Sequence, residues 1–114
     1  RERSLVGPLA LRTLEALAFD CFVLSIGGVH AEYGWSEFSL DDAAVKQAAL
    51  TGATRTIAVA DATKLGVRAF SQVAPLGEVD DFVTDAAAED SATHPGGPQT
   101  LTALRDAGVR ITLA

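Results

Sequence analysis

Three short apolar runs, separated by helix-like stretches, do most to limit the folds open to this chain. Cys21-Phe-Val-Leu-Ser-Ile26, Thr56-Ile-Ala-Val-Ala60 and Asp81-Phe-Val-Thr-Asp85 carry apolar residues with little polar alternation. Strands covered on both faces read this way, whereas a half-solvated strand alternates. Ser39, with Asp42 three residues on, starts a helix that carries Ala43 to Leu50 and ends near Gly52. Pro8, Leu9, Leu11, Leu14 and Leu17 mark an earlier helix ending near Ala18. Thr100 to Ala107 reads as a third helix, closed by Gly108 in the left-handed region and followed by a strand over Val109–Leu113. Strand, helix and strand in turn imply right-handed crossovers. The expected class is therefore α/β, a largely parallel Rossmann-like sheet with helices on both faces. Val29–Phe38 reads as a loop, Phe70–Val73 as a short strand stopped by Pro75, and Ala86–Gly97 as an acidic, mobile loop.

Composition narrows the functions. At 114 residues the chain has room for one core and is read as a single domain over 1–114. It opens Arg-Glu-Arg and contains no Met, so it is expected to be part of a longer protein. A net charge of −6 disfavours a grip on nucleic acid phosphates. No apolar run approaches the roughly 20 residues of a membrane span. The single Cys21 allows no internal disulfide and, within an apparently buried strand, reads as a small core hydrophobe. No G-x-G-x-x-G opens a helix and no Walker sequence occurs. His30 and Glu32 share a loop but have no second ligand pair at a metal spacing, so neither metal nor cofactor is expected.

The chemistry-bearing residues gather just past the strands. Asp61 and Lys64 follow the run Thr56–Ala60, at the edge where open parallel sheets bind ligands. A carboxylate there can hold a hydroxyl and an ammonium a phosphate. The alternative is an aspartate capping the next turn beside a solvated lysine. Gly27-Gly28 stops the first strand, either to admit a ligand or backbone closely or to make a tight turn with positive φ. Lys46 lies four residues after Asp42, placed for a helix-surface pair or for reaching back over the strand ends. Tyr33 and Trp35 read as core cover, and His94 as solvated.

Taken in order, these segments resemble the C-terminal effector domain of DeoR-type bacterial transcriptional regulators. Val6-Gly7-Pro8 resembles that family's Val-Gly segment before a helix, and Asp20 to His30 its Asp-x-x-Phe-Leu-Gly-x-x-Gly-Ile-Asp strand and turn. Gly34-Trp-Ser36 stands where Gly-Leu-Thr is usual, and Asp42-Ala-Ala-Val-Lys46 where Glu-Ala-x-Val-Lys is usual. Ala60-Asp-Ala-Thr-Lys-Leu-Gly66 matches the Asp-x-(Ser/Thr)-Lys-(Phe/Tyr)-Gly turn. Asp80 to Asp85 resembles the Ile-x-x-Ile-Thr-Asp strand, and Leu104 to Ala114 the closing helix and strand.

The resemblance implies a fold shared with ribose-5-phosphate isomerases, glucosamine-6-phosphate deaminases and coenzyme A transferases. It also implies a cytoplasmic sensor of a phosphorylated sugar that controls an attached helix-turn-helix. On that basis Asp61 and Lys64 become the phosphate and sugar contacts. Lys46 and Asp20 match further positions at the pocket edge, and Gly27, Gly28 and His30 belong to the matching strand-end turn. DNA would be met only through an N-terminal domain that this chain lacks, together with the usual Gly-Thr-Thr-type phosphate loop. Homo-oligomers are expected, with unpaired apolar surface on Pro8–Ala18 or Cys21–Ile26. His30 replaces the usual Asp, Ser25 the usual Gly and Asp42 the usual Glu, which changes hydroxyl recognition. A sugar-phosphate isomerase or deaminase is the enzymatic alternative, although Gly-Gly-Val-His stands in place of the isomerases' Asp-Gly-Ala-Asp-Glu cluster. A pure oligomerisation module is the third reading.

Overall fold

The computed structural model describes residues 19–114. The expected helix Pro8–Ala18 and the Val6-Gly7-Pro8 segment lie outside them. The strands are β1 (Phe19–Ser25), β2 (Gly28–His30), β3 (Gly34–Glu37), β4 (Ala53–Val59), β5 (Ser71–Ala74), β6 (Asp81–Thr84) and β7 (Arg110–Leu113). The α-helices are α1 (Leu40–Gly52) and α2 (Gly97–Asp106).

The three apolar runs and the closing strand form one parallel sheet in the order β1-β4-β6-β7. Its register aligns Ser25 with Val59, Val59 with Val83, and Val83 with Thr112, so all four strands end along one common edge. Ser39 caps α1 by accepting from Asp42 N at 3.1 Å, and Gly108 leaves α2 at φ +89°. α2 begins at Gly97, earlier than expected, with Pro98 in its first turn.

Two expectations fail. Val29–Phe38 is not a loop: it contributes β2 and β3 to a second, antiparallel sheet of order β2-β3-β5. His30 closes the intervening turn, its Nδ1 accepting from the backbone N–H groups of Glu32 and Tyr33, both at 3.1 Å. Gly34 follows at φ +85°, where a Cβ would lie 2.4 Å from the Ala74 carbonyl oxygen. The short strands are held by packing: Trp35 is fully buried, meets Phe82 edge-to-face at 5.3 Å and donates from Nε1 to the Leu76 carbonyl.

The second failure concerns Cys21. Leu24, Ala58 and Phe82 are fully buried on one face, together with Ala43 and Leu50 of α1 and Leu101 and Leu104 of α2. On the other face Val23 is 62% and Val59 43% exposed, and Cys21 is exposed too. The strand order advances in one direction, so right-handed crossovers carry both helices to the same side. The α/β class and the parallel sheet hold. The described helices α1 and α2 cover one face, the helix expected over Pro8–Ala18 lies outside the described residues, and Cys21 is not a core residue.

Segment 86–97 also packs more closely than a bare loop. Ala86–Glu89 form a 3-10 turn with Ala88 fully buried, and a Cβ on Gly97 would fall 2.0 Å from the Ala88 carbonyl oxygen.

Candidate functional site at the carboxyl edge of the parallel sheet

The site begins where β4 runs out. Ala60 N donates to the Val83 carbonyl oxygen, extending the ladder by one bond before the chain turns. Asp61 then caps a 3-10 turn over Ala62–Lys64, its Oδ1 accepting from Thr63 N at 2.9 Å and from the Thr63 hydroxyl. The capping role is therefore real, and among the described residues it engages only Oδ1. Asp61 is exposed, and Oδ2 is open to solvent or to a ligand.

Neighbouring elements fix this turn in place. Asp85, at the end of β6, accepts from Ala62 N at 2.9 Å. Gly66, at φ +88°, donates from its N–H to the Val29 carbonyl at 2.7 Å. Gly28 lies so close to the same segment that a Cβ would stand 2.6 Å from the Val67 carbonyl oxygen. Neither Gly27 nor Gly28 has positive φ, which leaves close approach as the reason for these glycines. At Gly28 the approaching group is backbone. At Gly27 it is the Glu37 carboxylate and the Phe38 ring, each 3.0 Å from where a Cβ would be.

The electrostatics of the turn are uneven. Hydrogen bonds from the Thr63 hydroxyl and backbone hold the Asp61 carboxyl below the usual carboxylate range, and the charges of Lys64 and His94 push the same way. His94 is half-buried rather than solvated. Lys64 is half-buried as well, and its Nζ has no hydrogen bond or ion pair among the described residues. Thr84, the last residue of β6, is the one described residue with a buried side-chain oxygen that finds no partner.

Beside the turn, His30, Glu32, Gly66, Gly96, Gln99 and Thr100 line a cleft of about 220 Å³. Because the His30 Nδ1 accepts two N–H groups, the neutral ring carries its proton on Nε2, which can donate. Lys46 reaches back from α1 over the strand ends: Nζ donates to the Ser25 carbonyl at 2.6 Å and pairs with Glu37 Oε2. It does not use Asp42. Asp20 is not brought to this edge, since it lies five residues before Ser25 on β1, roughly 16 Å along an extended strand.

Asp85 and Glu37 are the residues that sequence reasoning left out of the site. Asp85 carried the same signal as Asp61, a carboxylate closing an apolar run. Glu37 carried none, because its segment read as loop. No group of three or more His, Cys, Asp or Glu side chains among the described residues is arranged to hold a metal ion. No described helix is long and apolar enough to cross a membrane.

A sequence model of the DeoR C terminal sensor domain matches residues 1–86, a span that contains β1 to β6 and the whole Asp61–Val67 turn. The chain belongs to the DeoR C-terminal sensor family. Among similar proteins, the HTH-type transcriptional regulator GlpR of Haloferax volcanii is 38% identical over 85 residues, 75% of this chain and 33% of that protein. The uncharacterized HTH-type transcriptional regulator YulB of Bacillus subtilis is 32% identical over 109 residues, 96% of this chain and 39% of its own length. The uncharacterized HTH-type regulator FruR of Bacillus subtilis is 33% identical over 86 residues, 75% of this chain and 34% of that protein. The DeoR sensor chain thus spans between a third and two fifths of the curated relatives it matches. The YulB alignment extends past residue 86 into the part that carries α2 and one wall of the His30 cleft.

Proposed function

We propose that this domain senses a phosphorylated sugar at the carboxyl edge of its parallel sheet and passes the bound state to an attached helix-turn-helix. The observation that carries this reading is Lys64, a half-buried lysine whose ammonium finds no partner among the described residues, beside Asp61, whose Oδ2 finds none among them either. Phosphate suits the ammonium as a point charge, and the Asp61 Oδ2 suits a sugar hydroxyl. A net charge of −6 leaves DNA contact to another domain. Ligand would act by preferring one of two states of the regulator, which fixes how far it can shift the equilibrium.

The regulator relatives support sensing over turnover, and a role beside DNA supports a cytoplasmic location. The apolar surface left on β1 and β4 supports self-association of the protein.

The test is to titrate the intact protein with pentose and hexose phosphates, following binding by calorimetry and product by chromatography. Saturable binding without isomerisation or deamination is expected. Asp61→Asn should weaken binding modestly and change the order of preference among the sugars. Turnover of any of them would make the domain an enzyme and overturn the sensing role.

A further inference from the structure

Resting on that phosphosugar reading, we propose that Glu37 is a second specificity residue of the same site, its Oε1 accepting a ligand hydroxyl while Lys46 holds it in place. Glu37 sits on β3 and is only 8% exposed. A carboxylate so placed needs partners, because burying an uncompensated charge is costly. Lys46 supplies one through Oε2, and the same ammonium donates to the carbonyl of Ser25, the last residue of β1. The pair is thereby pinned to the carboxyl end of β1. Ser25 is in register with Val59 on the adjacent strand, and Asp61 follows two residues later. With neighbouring strands about 4.8 Å apart, the pair and the Asp61–Lys64 turn stand at adjacent strand ends.

The second oxygen is what separates this pair from an ordinary structural one. Asp81, equally buried, has both oxygens taken, one by Arg110 and the other by Arg55. Glu37 Oε1 accepts no hydrogen bond among the described residues. It lies instead against Gly27, where a Cβ would stand 3.0 Å from it and 3.0 Å from the Phe38 ring, so any side chain at this position would crowd the oxygen. The chemistry of the pair selects its guest. A second phosphate is repelled by the carboxylate, and an ammonium gains little because Lys46 already matches the charge. A neutral hydroxyl gains a charge-assisted hydrogen bond and meets no opposing charge. The ligand class is therefore a polyol phosphate, its phosphate at Lys64 and a hydroxyl at Glu37.

Glu37→Gln tests this in the intact protein. The amide oxygen still accepts from Lys46, but an NH2 group then faces the ligand where the hydroxyl proton needs an acceptor. The probes are pentose and hexose phosphates, their monodeoxy analogues, and inorganic phosphate. Wild-type protein should discriminate against one deoxy analogue by about ten- to hundred-fold, the span of a hydrogen bond to a charged group. Glu37→Gln should lose that discrimination and keep its affinity for inorganic phosphate. If Glu37→Gln fails to fold, the double variant Glu37→Leu/Lys46→Met replaces the ion pair with apolar chains and carries the same expectation. Discrimination retained in the variant, or an equal loss for every probe including inorganic phosphate, would overturn the role of Glu37 alone. A wild-type protein that binds no phosphosugar would overturn this role and the sensing site together.

Discussion

The two edges of the parallel sheet treat charge in opposite ways. At the amino edge Asp81 accepts from Arg55 Nε at 2.9 Å and Nη2 at 2.7 Å, and from Arg110 Nε at 2.8 Å. Its two oxygens tie β4, β6 and β7 together, and nothing is left over for a ligand. At the carboxyl edge, among the described residues, Lys64 has no partner, Asp61 uses one oxygen, Glu37 uses one oxygen, and the Thr84 hydroxyl is buried without a bond. Unmet polar groups cost stability wherever they are buried. Of these groups Glu37 and Thr84 are buried, whereas Asp61 is exposed and Lys64 half-buried, where water can complete them until a ligand does.

Gly28→Ala should give the largest effect. Its Cβ would collide with the Val67 carbonyl at 2.6 Å, and the turn that bears Lys64 would have to move. Overpacking of this kind costs about 1–3 kcal/mol, and phosphosugar affinity should fall along with the denaturant midpoint. Intact affinity at full stability would show that β2 does not position the turn.

The amino edge predicts a smaller, pH-dependent effect. The hydrogen bonds of Arg110 and then Arg55 hold the Asp81 carboxyl below its ordinary range. A depressed carboxylate contributes stability above its unfolded value, near pH 4, and loses it as pH falls through the folded value. The stability gap between wild type and Asp81→Asn should therefore be constant above about pH 5 and shrink in more acid solution. Asp61, also depressed, is present in both proteins and cancels from the difference. Urea unfolding across the acid range measures it, and a gap independent of pH would contradict the assignment.

The parallel strands and α1 were legible because their signals are local: apolar runs, the Ser39 cap, Gly27 after the first run and Gly52 at the end of α1. The β2–β3 hairpin was not, because strands of three and four residues are held by distant partners. Trp35 meets Phe82, and the Ser36 hydroxyl accepts from Ala69 N at 2.9 Å. The exposure of Cys21 was hidden for another reason. An apolar run looks the same whether or not other residues of the chain cover its second side. In the candidate site, the place of Asp61 and Lys64 just past a strand left a cap beside a surface charge as open as a ligand contact, and only the family resemblance favoured the contact; Asp85 offered the same positional signal. Lys46 was read as pairing with Asp42 or reaching back over the strand ends, and it does the second, though its Glu37 partner was not foreseen. Asp20 was drawn in by its motif, which fixes neighbours in sequence but not the edge of the sheet to which a strand delivers them.

The contrast between the edges can be measured on one pair of variants, Lys64→Ala and Asp81→Asn, each assayed for thermal stability and for affinity toward the tightest-binding sugar phosphate. Lys64→Ala should lose about ten- to hundred-fold in affinity, as expected for a charged hydrogen bond. Its melting temperature should stay within the small range of an ordinary surface substitution. Asp81→Asn should melt earlier at neutral pH and bind as the wild type does. The opposite pattern, with Lys64→Ala melting early and binding normally, would make the carboxyl edge structural and contradict the assignment of the sensing site.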